Sequence, residues 1–393
     1  MKEINTDILV VGAGLVGLVA AHCLSQLKYN VVVIDKKKPN DSKRSSKDTR
    51  TTAVSEGSKQ FLEDLFLWKD IKKNAEPIKK IKVFDRAPSN KIFFENQNNE
   101  KKLGYVIENI RFSKSLLSSL KKKNNVKIFF DSELLKIEST ANCTNTYLKK
   151  QIIKSKLIVA ADGKNSTVRK AVGNKIFTKK YKESALVLNF SHEKNLNNTA
   201  YEIFYNTGPL AILPMKSKYN LFQSTIIWSN KNLFTKKLVN RNNEFIKNII
   251  YEKIGLITGD ILKINSKQMF PLSAHINETF FSNRLVYVGD SAHSVHPIAG
   301  QGWNLGIKDV KNLKIVCDDF ISKKLDTGNA IFCKKYNSLS YKNAFQLYQI
   351  TDKLNFHFKI NGGFYRNLSK VGFNFIDNKK NLKNWITNYA MGF

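Results

Sequence analysis

The sequence INTDILVVGAGLVGLVAAHCLSQL, residues 4–27, decides the fold. Its first part, Ile4–Val11, is an apolar and β-branched run of the length expected for one buried parallel strand. A GxGxxG pattern follows, and the remaining residues predict a helix rich in alanine and leucine. A second apolar run, Val31–Ile34, predicts another buried strand, and it ends at Asp35. This order of strand, glycine turn, helix, strand and acid is the one that dinucleotide binding requires.

Each glycine of this turn has a physical role. Gly12 permits the tight turn, Gly14 lets the backbone approach a pyrophosphate, and Gly17 lets the helix pack closely on the strand. The helix N-terminus offers free N–H groups and the positive end of the helix dipole to phosphates. Asp35 follows Gly12 by 23 residues and is placed to accept hydrogen bonds from ribose hydroxyls. The pattern predicts dinucleotide binding without choosing between FAD and NAD.

Two further predicted strands end in acidic residues. Leu157–Gly163 predicts a buried strand that ends in Asp-Gly, and a helix follows with Asn165 or Ser166 as its N-cap. Arg284–Asp290 predicts a strand that ends in Gly-Asp, and a glycine-rich turn then leads into a helix. Either segment alone is also typical of an ordinary connection between a strand and a helix.

The chain is strongly basic, with 65 Lys and Arg against 32 Asp and Glu and a formal net charge of +33. Such a charge favours the binding of polyanions. Only 8 of these residues are Arg, the side chain preferred for phosphates and base edges. The lysines also run through the whole chain. A diffuse solvated surface is therefore favoured over a specific groove, and nucleic acid is not predicted as a partner.

Length and composition exclude other classes of protein. The 393 residues allow two or three structural units with a real core, and 42% hydrophobic residues are too many for a disordered basic tail. The four cysteines contain no CxxC pair, which predicts free, mostly buried thiols in a reducing compartment. Residues 8–26 carry no charge, but glycines interrupt them and acids precede them. No signal peptide and no transmembrane helix are therefore predicted.

The three motifs together resemble those of the group A flavoprotein monooxygenases, the class of p-hydroxybenzoate hydroxylase. GxGxxG, Asp-Gly and Gly-Asp occur in the order of that class, and the resemblance covers nearly the whole chain. Within the class, HPIAGQGWNLGIKDV at residues 296–310 resembles the ubiquinone-biosynthesis hydroxylases. Trp303 departs from their pattern, since they often have a smaller aliphatic residue there. The other similar segments are residues 48–53, 104–109, 208–214 and 270–272, together with Trp228.

The resemblance implies an α/β fold: a Rossmann-like FAD-binding domain with a parallel sheet and helices, a mostly antiparallel β-sheet substrate domain, and a helical C-terminal tail. The aromatic residues of that tail favour core packing, with a membrane-facing surface as the alternative. Residues 40–48 are expected to form a mobile polar loop. The expected division is 1–75, 107–175 and 281–335 for the discontinuous FAD-binding domain, 76–106 and 176–280 for the substrate domain, and 336–393 for the tail.

The resemblance also assigns residues to FAD. Asp290 would hydrogen-bond the ribityl chain, Arg50 would reach the phosphates, and Asn109 lies near a position that contacts the flavin chain. Asp162 belongs to a motif linked both to the FAD pyrophosphate and to NAD(P)H use. The turn 297–304 would lie beside the isoalloxazine ring, where N–H groups and a helix N-terminus stabilise negative charge. The predicted set is Gly12, Gly14, Gly17, Asp35, Arg50, Asn109, Asp162, Gly163, Gly289, Asp290, Pro297, Gly300, Gln301, Gly302 and Asn304.

His293 and His296 lie next to this turn and are, with Pro297, the candidates for catalytic roles. The two histidines are interpreted either as structural residues of the turn, which is favoured, or as proton-transfer groups. No third ligand lies at a metal spacing, so no metal site is predicted.

The implied activity is hydroxylation of the aromatic ring of a polyprenyl phenol, a precursor in ubiquinone biosynthesis. NAD(P)H would reduce FAD, O₂ would add at flavin C4a, and the resulting hydroperoxide would transfer OH to an electron-rich ring carbon. Three alternatives on the same fold are hydroxylation of another phenol, epoxidation of an alkene and reduction of a prenyl chain. The expected location is cytoplasmic, with peripheral contact to the anionic inner face of the cell membrane. A complex with other ubiquinone-biosynthesis proteins is a further expectation.

Overall fold

The computed structural model of the chain describes residues 2–38, 48–85, 87–95, 102–360, 371–373 and 375–392. The expected polar loop 40–48 lies outside these residues except for Asp48. Strands and helices carry numbers in chain order.

The first sheet is built on the predicted nucleotide-binding strands. β1 (Lys2–Val11) lies between β2 (Val31–Ile34) and β11 (Gln151–Ala160), and the three run parallel. β8 (Val126–Phe129) extends the sheet beyond β2, and β18 (Leu285–Tyr287) extends it beyond β11, again in parallel. The last four residues of β1 and all of β2 are buried, as expected for strands covered on both faces.

Antiparallel strands lie at the edges of this sheet, and helices pack on it. β10 (Thr144–Leu148) pairs with β11 and with β9 (Leu134–Ser139), and β17 (Phe281–Ser282) pairs with β18. Buried residues of the strands form one core with helix residues such as Leu18 and Phe112. The helices of this part are α1 (Leu15–Gln26), α2 (Glu56–Asp64), α3 (Trp68–Lys72), α4 (Asn109–Leu120), α5 (Thr167–Ala171), α8 (Gln301–Ser322) and α9 (Ala330–His357).

The structure refines the predicted boundaries of three elements. α1 begins at Leu15 rather than Leu18, because Gly14 is extended and serves as its N-cap. Ser166 is the N-cap of α5, and its hydroxyl accepts a hydrogen bond from the backbone N–H of Arg169 at 2.9 Å. The strand predicted at 284–290 is shorter, because Gly289–Ser291 turns into a 3-10 helix.

The second sheet is mostly antiparallel, as the resemblance implied. Its strands are β5 (Lys80–Asp85), β6 (Ala87–Glu95), β12 (Ile176–His192), β13 (Thr199–Tyr205), β14 (Gly208–Lys218), β15 (Leu221–Lys231), β16 (Ile261–Asn277) and β19 (His293–Ser294). They lie in the order β19-β16-β12-β15-β14-β13-β5-β6, and β13 and β5 are a parallel pair.

The two faces of the second sheet have different neighbours. One face packs on α6 (Asn232–Val239) and α7 (Asn243–Thr258), where Ile212 and Ile226 share a core with Ile250. The other face turns toward the loops of the first sheet: the Asn189 side-chain amide donates to the Thr49 carbonyl at 2.8 Å. This second face and the loops of the first sheet that it approaches border the region that is called the crevice below.

A small sheet and the C-terminal helices complete the fold. β3 (Thr51–Ser55) and β4 (Ala75–Ile78) both pair antiparallel with β7 (Gly104–Glu108). β4 and β7 thus lie outside the second sheet, and the expected domain division stays a prediction. Met391 of α10 (Lys380–Met391) packs in a cluster with residues of β7, β13 and β14.

The aromatic residues of the C-terminal region divide between core and surface. Tyr341 and Tyr348 pack against the core of the first sheet, whereas Phe345 and Phe356 are 41% and 69% exposed. No described helix combines the length and the apolarity needed to cross a membrane. Three of the four cysteines are buried, as predicted, and none of the four is joined in a disulfide in the structure.

Candidate active site

The glycine turn after β1 has two crowded positions and one open position. A Cβ atom on Gly12, whose φ is +111°, would lie 2.3 Å from the Ala161 carbonyl oxygen. A Cβ atom on Gly17 would lie 2.0 Å from the Gly12 carbonyl oxygen. A Cβ atom on Gly14 would meet no described atom within 4 Å. The protein's own packing therefore requires Gly12 and Gly17, whereas Gly14 faces open space at the N-terminus of α1.

Asp35 lies against this turn. Its Oδ2 accepts a hydrogen bond from the Ala13 N–H at 2.7 Å, and its Oδ1 accepts one from the Lys37 N–H at 2.8 Å. A carboxylate has about four acceptor positions, so capacity remains for hydroxyl donors. The partly buried carboxylate is thus fixed beside the open face of Gly14, as the fingerprint predicts.

The Asp-Gly motif is tied to α5. Asp162 Oδ2 accepts hydrogen bonds from the Thr167 N–H at 2.6 Å, the Thr167 hydroxyl at 2.9 Å and the Val168 N–H at 3.1 Å. Its Oδ1 is buried and has no hydrogen-bond partner in the part of the chain that the structure describes. Gly163 has a φ of +82° and open space around its Cβ position. The unpaired oxygen is an acceptor that a ligand's hydroxyl or amide can satisfy.

The Gly-Asp motif is held by buried hydrogen bonds to one aspartate. Asp309 of α8 accepts hydrogen bonds at Oδ2 from the Gly289 N–H at 2.9 Å and from His293 Nε2 at 2.6 Å. Both His293 and Asp309 are almost completely buried. The contact fixes the turn between β18 and α8 that carries Asp290, and Lys164 and Arg50 lie close enough for their charges to act on the Asp290 carboxyl.

Asp290 keeps access to solvent although protein atoms surround it. This crowding raises the pKa of the Asp290 carboxyl, and positive charge on Lys164 and Arg50 acts in the opposite direction. A carboxyl that stays accessible to solvent beside positive charge is suited to accept hydrogen bonds from the hydroxyls of a ligand.

Arg169 joins the two acidic motifs, a role that the sequence did not indicate. Its guanidinium donates from Nη1 to the Ser291 carbonyl at 3.0 Å and from Nη2 to the Lys164 carbonyl at 2.7 Å. Burial lowers the pKa of this guanidinium. Arg169 therefore clamps the turn after β11 to the turn after β18.

The segment before β3 carries Arg50 to the crevice. Arg50 pairs with Asp48 through Nε–Oδ1 at 2.8 Å and Nη2–Oδ2 at 2.9 Å, and this pairing raises the pKa of Arg50. Its guanidinium lies 5.5 Å from the centre of the Phe270 ring. Asn109 accepts a hydrogen bond from the Thr52 hydroxyl at 2.7 Å. Arg50 thus lies at the crevice, next to Phe270 of the second sheet. The side chain of Asn109 instead binds Thr52 and so stabilises the position of β3.

The turn 297–304 leads into α8. Gly300 has a φ of +61°, and a Cβ atom on Gly302 would meet no described atom within 4 Å. The Asn304 side chain accepts from the Ser55 N–H at 2.9 Å and donates to the Ala53 carbonyl at 2.9 Å. Pro297 and Gln301 lie partly buried in the same turn. Asn304 therefore anchors the turn to β3, and the first residues of α8 lie beside open space.

The two candidate histidines have different surroundings. His293 contacts Asp309, as described, and has a structural partner. The two ring nitrogens of His296 are buried and have no hydrogen-bond partner among the described residues. The Glu183 carboxylate lies 3.9 Å from His296 Nε2, which is too long for a hydrogen bond. Burial lowers the pKa of His296, which favours the neutral form of the ring. Their assignment as structural or proton-transfer groups stays a prediction.

Trp303 fills space next to this turn. Its ring lies 5.2 Å from the Phe112 ring, centre to centre, and packs against the core of the first sheet. The larger side chain is accommodated by helix packing.

The family described as FAD binding domain matches residues 5–317 of this chain. The chain belongs to this family. FAD is thus its cofactor, and NAD(P)H as reductant and O₂ as co-substrate are standard in the family. The predicted fold class, the cofactor and the assignment as an FAD-dependent monooxygenase are confirmed.

Named relatives agree with this family. A ubiquinone hydroxylase, UbiL, from Rhodospirillum rubrum is 28% identical over 351 residues, which cover 88% of this chain and 80% of the relative. A 3-demethoxyubiquinol 3-hydroxylase from Escherichia coli K12 is 27% identical over 316 residues, 80% of each chain. The solved structure of p-nitrophenol 4-monooxygenase PnpA from Pseudomonas putida matches with a TM-score of 0.78 and 17% identity, over 100% of this chain and 99% of that one. At this identity, the similarity to the solved structure shows a shared fold and nothing more.

FAD fits the residues present. Gly14 and Gly302 leave space for close approach, and each lies at the start of a helix whose N–H groups favour anions. Asp162 Oδ1 is a buried acceptor with no described partner, and the Asp290 carboxyl is accessible to solvent. Sequence reasoning missed Arg169, Lys164 and Asp309 as parts of this site. Their contacts join segments that are distant in the chain.

Proposed function

We propose that this chain hydroxylates the aromatic ring of a prenylated phenol, a quinone precursor in ubiquinone biosynthesis. The names of its relatives from Rhodospirillum rubrum and Escherichia coli support the substrate class. The observation that carries the proposal is an apolar, partly open sheet face beside the turn 297–304.

That face belongs to the second sheet. Ala211 and Ile227 are partly exposed on it, although they lie on inner strands of the sheet. The alternate residues Ile212 and Ile226 are 0% exposed, because α6 and α7 cover the other face. The face that α6 and α7 leave uncovered is therefore the one on which we place the aromatic ring of the substrate.

The turn 297–304 reaches this face directly. Ile298 packs in one cluster with Ile92 of β6, Phe204 of β13 and Phe358 after α9. A ring bound on the sheet face beside Phe204 would therefore lie near this turn.

The proposed roles of the FAD-binding residues follow from their positions. The Gly14 turn and the N-terminus of α1 hold the pyrophosphate, Asp35 holds a ribose, and Asp290 holds the ribityl hydroxyls. Arg50 adds positive charge at the crevice after exchanging its partner Asp48 for a phosphate. Bound FAD supplies electron transfer from NAD(P)H and activation of O₂. The chain supplies orientation, charge stabilisation at the start of α8, and exclusion of water by the apolar face.

The test is the reaction itself. Purified protein is expected to be yellow, to consume NAD(P)H, and to convert 2-prenylphenol to a product heavier by one oxygen atom. Cells with the gene disabled are expected to accumulate a quinone precursor that lacks one ring hydroxyl, as read by mass spectrometry. A flavin-loaded protein that hydroxylates no phenol, together with unchanged quinone intermediates, would contradict the proposal.

We also propose that the chain is cytoplasmic and contacts an anionic membrane surface peripherally. Phe356, Phe375 and Trp385 are each more than half exposed in the C-terminal region. α9 carries four lysines against one aspartate. Exposed aromatic rings beside lysines suit the interface of an anionic leaflet, where a prenyl tail is dissolved. Association with other ubiquinone-biosynthesis proteins stays a prediction.

Flotation with vesicles tests this contact. The wild-type chain is expected to float with anionic vesicles and much less with neutral ones. The double variant Phe356→Ser, Trp385→Ser is expected to float less. Leu256→Ser is the matched control, because Leu256 is 94% exposed on α7, on the other side of the second sheet. Equal flotation of all three proteins would contradict the assigned surface.

A further inference from the structure

Glu202 is an acid in the middle of the apolar sheet face. It lies on β13, opposite Val83 of β5 and Ala211 of β14. The row continues to Ile92 of β6 and to Ile227 of β15. Because cross-strand partners point to the same face, the Glu202 carboxyl projects into the crevice among aliphatic side chains.

The Glu202 carboxyl has no stabilising partner among the described residues. No hydrogen bond or ion pair joins it to any residue of the described ranges, and surrounding protein atoms raise its pKa to about 8. It keeps partial access to solvent from the open side of the face. Glu183, in contrast, is paired with Lys359, and the pKa of its carboxyl is lowered. An unpaired acid at the centre of an apolar face has no evident structural purpose.

Glu202 lies close to the turn that faces the flavin ring. Phe204 follows it by two residues on the same face, about 7 Å along the strand. Phe204 packs in the cluster that contains Ile298 of the turn 297–304. A phenol whose hydroxyl reaches Glu202 from the open side of the face would therefore lie near this turn.

We propose that Glu202 is a catalytic residue whose carboxylate accepts the proton of the substrate's phenolic hydroxyl. This inference deepens the proposed function and rests on it. The phenol O–H bond breaks, its electron pair stays on oxygen, and a new O–H bond forms on the carboxylate. One negative charge moves from the carboxylate to the phenolate, and no atom is oxidised or reduced in this step. Glu202 returns the proton to water in the crevice after the product leaves.

The chemical need for this step is clear. A phenolate donates electron density to its ring far better than a phenol does, which activates the ring carbon for attack on oxygen. A general base works best when its pKa lies near the working pH. The raised pKa places Glu202 much closer to a phenol's pKa than an ordinary glutamate's.

The test compares Glu202→Gln and Glu202→Asp with the wild-type holoenzyme. Glu202→Gln keeps the shape and removes the proton acceptor. The expected result is a loss of about 100-fold or more in kcat for 2-prenylphenol, with unchanged flavin content and unchanged flavin reduction by NAD(P)H. Glu202→Asp is expected to recover part of kcat. Glu76→Gln is the matched control, because Glu76 also has a raised pKa but lies on β4 and hydrogen-bonds Asn198 at 2.8 Å.

Two further readouts separate a catalytic from a structural role. In the wild type and Glu76→Gln, kcat/KM is expected to rise through about pH 8, and this rise is expected to be absent in Glu202→Gln. The infrared band of a protonated carboxyl is expected to titrate at about pH 8 in the wild type and to be missing in Glu202→Gln.

A Glu202→Gln enzyme with wild-type kcat and pH profile overturns the inference while the proposed function stands. So does a carboxyl band that titrates in the ordinary range of glutamate. A wild-type enzyme that loads FAD but hydroxylates no phenol overturns the proposed function, and the inference with it.

Discussion

Replacing Gly14 by alanine separates binding of the cofactor from stability of the protein. Gly14 has φ −69° and ψ 175°, which alanine adopts without strain. An added Cβ meets no described atom within 4 Å. The only space it occupies is the open face beside α1, where the pyrophosphate is proposed to lie. The substitution is therefore expected to weaken the binding of FAD without destabilising the protein that lacks FAD.

The expected loss of affinity for FAD follows from the crowding that the added methyl group causes in the complex. One extra methyl group in a close contact costs about 1–3 kcal/mol, which corresponds to a Kd for FAD raised roughly 5- to 150-fold. In the protein without FAD, alanine restricts the unfolded chain more than glycine does, which raises the free energy of unfolding by about 0.4–1 kcal/mol. Alanine is also a poorer N-cap than glycine, which lowers the free energy of unfolding. These two effects oppose each other, so a small net change in the free energy of unfolding is expected.

Gly17→Ala is the contrasting variant. Its Cβ would lie 2.0 Å from the Gly12 carbonyl oxygen, which is backbone and cannot move aside without shifting α1. A loss of about 3 kcal/mol in the free energy of unfolding is expected even without FAD.

The assay has two parts. Flavin is removed from both variants and the wild type, the melting of each protein is followed by circular dichroism, and FAD is then titrated with fluorescence detection. Gly14→Ala is expected to melt like the wild type and to bind FAD more weakly. Wild-type affinity for FAD in Gly14→Ala would refute the position of the pyrophosphate. Destabilisation equal to that of Gly17→Ala would refute the open space at Gly14.

Three further predictions concern stability. Arg284 is 2% exposed, donates to two backbone carbonyls and pairs with the partly exposed Asp326. Arg284→Met removes both donors and is expected to lower the free energy of unfolding in urea by about 1–3 kcal/mol; a cost below about 0.5 kcal/mol would contradict this. Asp309→Asn weakens the hydrogen bonds that Asp309 accepts from the Gly289 N–H and from His293. The free energy of unfolding is expected to fall by about 1–3 kcal/mol, and flavin is expected to dissociate faster on dilution; an unchanged rate of flavin release would contradict the assigned role. Burial lowers the pKa of His22 to about 4. Between pH 6.5 and 4, the unfolded chain therefore binds a proton on His22 that the folded chain does not bind. The free energy of unfolding is expected to fall by about 3 kcal/mol over this range as the pH is lowered. His22→Gln is expected to flatten this slope in urea titrations at both pH values, and an unchanged slope would contradict it.

The nucleotide turn was predictable because it is local. Gly12, Gly14, Gly17 and Asp35 lie within 24 residues, and their spacing reflects one strand, one helix and a second strand. The structure brings them together, with the Ala13 N–H bonded to Asp35. The acidic ends of the other two parallel strands were likewise visible as motifs.

The partners of those motifs were not predictable, because they come from distant segments. Arg169 reaches Ser291 across 122 residues, and Asp309 is recognised as a partner of Gly289 only when α8 packs behind the turn. Glu202 is an ordinary surface glutamate in the sequence. Its apolar surroundings arise from pairing with β5, about 120 residues earlier, and that register cannot be derived from local pattern.

The order of strands in the first sheet has a consequence for biosynthesis. β1 is translated before its neighbour β11, which follows only after residue 150, and β18 pairs with β11 through Ile158 and Leu285. The sheet thus stays incomplete until β18 has been translated, about 270 residues after β1. Contacts of such long sequence separation form slowly. The early strands expose apolar surface and unpaired edges meanwhile, which makes the nascent chain a substrate for chaperones and sensitive to the rate of translation.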